Sequence, residues 1–509
     1  MAQKDNIYQQ INQLYGKIYT YNNKLLNRSE RELREGQMFS AVDIFDFYIA
    51  SHAFTFLKSM FLDSVNSVGF LLNARCLIEG LALKRMCQRG KVSKLQEELL
   101  QKQVFLLEYR CYKKNDIKDF VCHALNETKL QTDYEQTRKF YKDKLQNKYT
   151  DYEIEKICHS SIPFLCDPRL SYRKIIKEEL GEETASIYGC FSALIHPNDN
   201  TYYKDVDIID KSILLFYLIQ HEYDHLPQAE YTLEKDLALI CGDSEMFVDL
   251  CFQQADILDG VAEIFEQFFK NNYVSNTMRT IALLYRELSV EKCLGLTEQV
   301  KCKWKCLLEL MAVFYHFYVS MLEDEGKMVL LDEHCQMQIK RNFGIKHSLD
   351  RVYEKYCAIF ESSCDRERFD NEFSKALGYT IDGQGRVKSL TSLVKLFVQK
   401  FENVPNMKEC MILDYVESQM LSHANGYMWF ANSGSFADVN NIFLSTDMSM
   451  LFILDTIKTM FDVHKIIEDT QRYKPLINYA RNNKKKFETI TRRKQAFYHI
   501  KMVQKGDVY

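Results

Sequence analysis

The chain has 509 residues, of which 46% are hydrophobic and 27% charged, and its formal net charge is -4 at pH 7. This length indicates two to four domains, and the near-balanced charge excludes a globally basic nucleic-acid-binding protein. Only 6 prolines and 18 glycines interrupt the sequence. Because breakers this sparse favour long helices over short strands and tight turns, we predict an all-α fold.

The cysteines and the apolar segments indicate the compartment. The 16 cysteines include no Cys-x-x-Cys pair, and singles such as Cys76 and Cys306 read as buried thiols in a reducing cytosol, with no metal or other cofactor. The N-terminal segment MAQKDNIYQQINQLYGKIYT lacks the apolar core of a signal peptide. The longest apolar stretch, 307–322, is shorter than the ~20 residues of a membrane span. We expect a cytoplasmic protein without membrane contact.

The predicted helices fall into four consecutive segments. Residues 1–39 form a charged N-terminal helical extension. Residues 40–230 form a first helical unit and residues 246–465 a second, each with apolar residues three and four apart. Residues 466–509 form a basic C-terminal helix.

The two helical units carry the same kinds of polar residue at matching spacing. Each set has a cation, a glutamate, a tyrosine, a histidine and an asparagine: Arg75, Glu79, Tyr188, His196 and Asn198 in the first unit, and Lys305, Glu309, Tyr415, His423 and Asn425 in the second. The separation from Glu to His is 117 residues in the first unit and 114 in the second. This agreement indicates tandem helical bundles related by internal duplication, packed as a pseudo-dimer; two unrelated helical halves remain the alternative.

The polar sets have a structural and a functional interpretation. Arg75 and Glu79 are four residues apart and share a helix face, as do Lys305 and Glu309. A charge in such an apolar helix needs a partner, so each pair predicts a buried ion pair that fixes helix register. In the functional interpretation, the histidines and glutamates are catalytic, the cations hold an anionic group, and the tyrosines and asparagines donate hydrogen bonds.

The motif Arg-x-x-x-Glu followed by a Tyr-rich helix ending in His resembles an uncharacterised bacterial all-helical family of unknown function, loosely allied to the HEPN superfamily. The resemblance covers about residues 40–225, with a weaker second copy over about 246–465. It implies a helical bundle that binds RNA or a nucleotide, pairs with a protein partner or a second copy, and in many relatives cleaves RNA without a metal in defence or stress response.

The sequence departs from the usual HEPN signature, in which an Arg precedes the His by a few positions. Neither His196 nor His423 has an Arg four to six residues before it. Residues 341–347 (RNFGIKH) have that spacing, and so do Arg493 and His499. The departure puts ribonuclease activity in question, and a non-enzymatic helical scaffold or sensor is the alternative function.

Two further segments suggest chemistry. The residues His221, Glu222 and His225 match His-Glu-x-x-His, which on a helix binds zinc, so a zinc hydrolase is a minor alternative. Pro227 ends that helix at once, and the second unit has no counterpart. The basic segment 472–505 interleaves cations with aromatic residues, as RNA-binding surfaces do. We favour instead a solvated amphipathic helix that packs its phenylalanines on the body of the protein.

Overall fold

The computed structural model describes residues 2–35, 39–61, 68–114, 127–195, 208–238, 242–268, 273–315, 391–405, 407–424, 439–463 and 470–497. These residues form helices and no β-strand, which confirms the predicted all-α fold. Within these ranges, no helix is long and apolar enough to cross a membrane.

The α-helices of the described residues are numbered here in chain order. They are α1 (Ala2–Glu35), α2 (Ala41–Phe61), α3 (Val68–Gln88), α4 (Lys94–Lys114), α5 (Glu127–Leu145), α6 (Asp151–Cys158), α7 (Tyr172–Leu180), α8 (Glu182–Ile195), α9 (Ile208–Tyr223), α10 (Leu233–Leu237), α11 (Asp243–Phe268), α12 (Tyr273–Cys293), α13 (Thr297–Val313), α14 (Thr391–Gln399), α15 (Met407–Leu421), α16 (Val439–Val463) and α17 (Thr470–Lys494). Two short 3-10 turns span Pro163–Leu165 and Gln495–Phe497.

Two central helices, α3 and α13, organise the packing. Helix α3 packs against α2, α7 and α8, and α13 packs against α12, α14 and α15. The two central helices also contact each other. Buried apolar side chains from both parts of the chain, including Phe70 and Trp304, form one continuous core. Helix α2 is buried on almost every side, which explains why apolar residues occur all round it.

Helices α3 and α12 end in the same way, at a glycine in the left-handed region. Gly90 has φ 67° and Gly295 has φ 71°. The next backbone N–H reaches back to the last turn, from Lys91 to the carbonyl of Met86 at 3.2 Å and from Leu296 to that of Glu291 at 2.9 Å. Because glycine takes this conformation without a Cβ clash, it closes the helix and satisfies carbonyls that would otherwise lack donors.

The basic C-terminal helix α17 packs on the body of the protein, as the favoured interpretation predicts. Phe487 is fully buried, and the ring of Phe497 lies 5.7 Å from that of Phe247. Lys494 is 0% exposed, and its Nζ lies 3.0 Å from both carboxylate oxygens of Asp447. Lys494 is therefore no part of an exposed cationic surface, because its charge is paired with a buried carboxylate. The exposed cations of the helix include Lys485, Lys486, Arg492 and Arg493.

Lys58 on α2 is a buried cation of a different kind. Its Nζ has no hydrogen-bond partner within the described part of the chain. Burial lowers the pKa of Lys58 from 10.5 to about 8, although Glu291 opposes this shift. The charged amine therefore destabilises the fold near neutral pH, where it is protonated in both the folded and the unfolded chain.

We expect Lys58→Met to raise the free energy of unfolding by on the order of 2 kcal/mol at about pH 7. The folded pKa lies below the unfolded value, so the wild type gains stability as the pH rises from about 8 towards 10.5 and the advantage of the variant shrinks. Urea unfolding across this pH window measures both effects. Lys174→Met on the exposed face of α7 is the control, and it should change neither the free energy of unfolding nor its dependence on pH. A destabilised Lys58→Met chain at pH 7 would contradict the prediction.

Candidate functional site

The site begins with a buried ion pair on α3. Arg75 Nε lies 3.6 Å from Glu79 Oε1, one helical turn away, so the predicted Arg75–Glu79 ion pair is confirmed. Both side chains are buried. Tyr188 on α8 donates a hydrogen bond of 2.9 Å to the same Glu79 oxygen. Burial opposes the charge of Arg75, but Glu79 and the other neighbouring groups together raise the pKa of the guanidinium above its usual value.

The turn that follows α15 completes this arrangement from the other half of the chain. Arg75 Nη2 donates to the carbonyl of Ser422 at 2.7 Å. The backbone N–H of Ala424 donates to Glu79 Oε2 at 3.3 Å, and His423 Nδ1 lies 3.4 Å from that oxygen. The ion pair on α3 therefore fixes the position of the turn that carries His423.

The polar residues are thus shared between the halves of the chain. The spacing predicts His196 beside Glu79 and His423 beside Glu309, but the structure places His423 beside Glu79. Helix periodicity gives no information on which distant turn docks on a given helix, so the sequence could not distinguish these pairings. The predicted site residues His196, Asn198 and Asn425 lie outside the described residues.

His423 is the solvent-reachable group of the site. Its side chain is 39% exposed, whereas that of Glu79 is 0% exposed. Its ring stacks on Tyr172 of α7, with centroids 5.8 Å apart and planes at 10°. His423 Nδ1 lies 3.4 Å from Glu79 Oε2 and 3.5 Å from Arg75 Nη2. Because the carboxylate only accepts and the guanidinium only donates, the two contacts favour opposite tautomers, and the one with its proton on Nδ1 leaves the Nε2 lone pair to accept a proton. The arrangement can act as a general base.

The role of Arg75 differs from the contact with an anionic group that the sequence predicts. Its side chain is 5% exposed, and its guanidinium contacts Glu79 and the Ser422 carbonyl. A buried and occupied guanidinium does not reach a substrate anion. The geometry therefore gives Arg75 a positioning role for the His423 turn instead of the predicted anion contact.

The second polar set repeats one contact of the first. Tyr415 on α15 donates to Glu309 Oε1 on α13 at 2.9 Å, the same distance as between Tyr188 and Glu79. Both Tyr415 and Glu309 are buried. Lys305, one turn before Glu309, is half-buried. The second set thus contains a Tyr–Glu hydrogen bond between α15 and α13, like the one between α8 and α3.

The zinc-hydrolase motif does not have the geometry that it requires. Helix α9 ends at Tyr223, so His225 lies in a turn and cannot share a helix face with His221. Glu222 Oε1 lies 2.6 Å from Lys84 Nζ, and this ion pair occupies the proposed general base. In the described part of the chain, the three residues that could hold a metal ion together are elsewhere: His52, Cys76 and Cys302.

Two other predicted patterns have no described counterpart. Residues 341–347 lie outside the described ranges, and so does His499, although Arg493 is described and exposed. Sequence reasoning also missed Tyr172 and Ser422, which contact the site through a ring face and a backbone carbonyl. Neither kind of contact leaves a residue-type signature that could have indicated it.

No protein-family model, curated protein or solved structure matches this chain.

We expect Glu79→Gln to lower the free energy of unfolding by about 3 kcal/mol, because it leaves the buried Arg75 guanidinium without a counter-charge. Denaturant unfolding measures the change. Glu178→Gln, on the exposed face of α7, is the matched control and should cost less than about 0.5 kcal/mol. Equal effects of the two substitutions would show that the ion pair does not stabilise the fold.

Proposed function

We propose that this chain is a HEPN-like helical protein of bacterial defence or stress response that binds RNA or a nucleotide at His423 and cleaves RNA without a metal. One observation carries the proposal: an exposed imidazole is held 3.4 Å from a carboxylate that is fully buried. A buried carboxylate that orients an exposed histidine is a recurring way to hold a general base in one tautomer.

In the proposed reaction, Nε2 of His423 takes the proton of a ribose 2′-hydroxyl. The 2′ oxygen forms a bond to the adjacent phosphorus while the bond from phosphorus to the 5′ oxygen breaks, and a water molecule supplies the proton that this oxygen needs. The products are a 2′,3′-cyclic phosphate and a 5′-hydroxyl end. Glu79 stabilises the imidazolium that forms, through the hydrogen on Nδ1.

We further propose that residues 40–230 and 246–465 are duplicated units packed as a pseudo-dimer. The matching Tyr–Glu contacts on α3 and α13 support this. So does the packing, since α2, α7 and α8 surround α3 as α12, α14 and α15 surround α13. Residue 73 lies two positions before Arg75, and residue 303 lies two positions before Lys305. Both side chains bond to the preceding helix, Asn73 to His52 on α2 and Lys303 to Glu291 on α12.

A non-enzymatic scaffold or sensor is the second candidate function. The use of Arg75 favours it, since this guanidinium holds the Ser422 carbonyl and a buried carboxylate. Polar groups used in this way fix how helices dock and need no substrate.

We expect His423→Ala to reduce metal-independent RNA cleavage by at least about 100-fold while leaving the melting temperature nearly unchanged, because the imidazole is half-exposed. Cleavage of a labelled single-stranded RNA in the presence of a chelator, with analysis of the product ends, measures this. His159→Ala, at the exposed histidine that follows the last residue of α6, is the control. Absence of wild-type cleavage, or cleavage that persists in His423→Ala, contradicts the nuclease. Unfolding of His423→Ala supports the scaffold.

The exposed cations of α17 allow a separate test of RNA binding. We expect joint replacement of Lys485, Lys486, Arg492 and Arg493 by Ala to weaken RNA binding and to reduce its salt dependence, because fewer phosphate counterions are released. Filter binding at several salt concentrations measures the slope. Replacing the exposed Lys142 and Lys174 by Ala is the control. An unchanged affinity and slope would show that α17 is only a solvated face.

A further inference from the structure

Three metal-ligating side chains meet where the two halves of the chain touch. His52 comes from α2, Cys76 from α3 and Cys302 from α13, and their ligand atoms all lie within 4.8 Å of one another. All three side chains are fully buried. Both cysteines are free thiols and form no disulfide. The sequence predicts inert core thiols here, but it does not show that a histidine and two thiols converge.

The polar atoms around the thiols are only partly satisfied. His52 Nδ1 lies 2.9 Å from the side-chain oxygen of Asn73, which places the ring proton on Nδ1. His52 Nε2 is buried and makes no hydrogen bond of ordinary geometry within the described residues, although the ring lies beside the Cys76 thiol. The hydroxyl of Tyr48 is buried and equally without such a hydrogen bond, and its ring lies 4.6 Å from that of His52. A buried polar atom left unpaired costs about 1–3 kcal/mol, so a ligand that engages Nε2 is favoured.

We propose that His52, Cys76 and Cys302 bind one zinc ion through Nε2 and the two sulfurs. Imidazole nitrogen and thiolate sulfur are the ligands that zinc prefers. Three protein ligands leave the fourth tetrahedral position of the zinc ion to a water molecule. Zn–S bonds of ~2.3 Å hold the two sulfurs about 3.8 Å apart, and the present ligand atoms lie within 4.8 Å of one another. The Asn73 contact is the outer hydrogen bond that metal-bound histidines usually make.

The charge balance favours a divalent ion. Binding releases the protons of Cys76 and Cys302 to solvent, and two thiolates with one Zn²⁺ form a site of zero net charge. A neutral site is compatible with the apolar interior, whereas a monovalent ion would leave a buried negative charge. Arg75 is close in sequence, but it is already paired with Glu79. Tyr48 interacts with Cys76, and its hydroxyl would donate a hydrogen bond to that sulfur as a zinc-bound thiolate.

The site would join the halves directly beneath the His423 turn. Cys76 belongs to the first half and Cys302 to the second, so one ion would cross-link α3 to α13. The Cys76 thiol also donates to the Ser422 carbonyl at 3.4 Å. That carbonyl keeps its hydrogen bond from Arg75 when the thiol loses its proton. This structural role does not depend on the proposed nuclease activity.

The test uses the full chain purified under reducing conditions without chelator. We expect about one zinc per chain by mass spectrometry of the metal, and a lower melting temperature after zinc is removed. Adding Co²⁺ alone to the stripped protein should produce the thiolate-to-cobalt charge-transfer absorption. Cys76→Ser and Cys302→Ser should each lose the metal and this absorption. Cys251→Ser, at a fully buried thiol outside the cluster, is the matched control and should keep both.

Each outcome decides the proposal. Metal retained by Cys251→Ser and lost by the other two variants supports the site. If a cluster variant fails to fold, the cobalt titration of the stripped wild type decides alone, because thiolate absorption requires cysteine ligands. A wild-type protein without metal that gives no cobalt absorption overturns the proposal. So does a Cys76–Cys302 disulfide found by non-reducing mass spectrometry of peptides.

Discussion

The buried ion pair between Arg75 and Glu79 is the constraint on which the rest of the site depends. Two charges removed from water destabilise a fold unless further hydrogen bonds satisfy them. One is supplied by Tyr188 on α8, and two come from the backbone of the turn after α15, through Ser422 and Ala424. Because that turn belongs to the other half of the chain, neither half by itself satisfies the pair. The ion pair therefore couples the packing of the two halves.

The same physical rule applies elsewhere in the core. Lys303 on α13 pairs with Glu291 on α12, and Lys494 on α17 is enclosed by Asp447 on α16 and Gln254 on α11. Each of these cations is buried and each contact joins different helices. Hydrogen bonds to buried charges are directional and costly to break, so they select one register of helix against helix where apolar contacts tolerate several. The numerous polar residues inside this helical core fit that role.

The region where the halves meet combines chemically different groups at different depths. His423 is partly open to solvent and rests on the buried Glu79 carboxylate. The thiols of Cys76 and Cys302 lie in the interior near His52, and Cys76 reaches the Ser422 carbonyl, one residue before His423. The His423 imidazole therefore rests on groups drawn from both halves. Buried contacts of this kind restrict the orientation of a side chain that lies on a turn and not on a helix.

The sequence by itself determined the local features of this protein. Helical periodicity and scarce breakers specified the all-α fold, and the i,i+4 spacing specified the Arg75–Glu79 pair, since both depend only on neighbours along one helix. Tertiary structure decided what lies far apart in sequence: that His423 joins Glu79, that Lys494 is buried by Asp447, and that Cys302 approaches Cys76. These contacts follow from how helices dock, and docking is set by the summed packing of many side chains, which no short motif records.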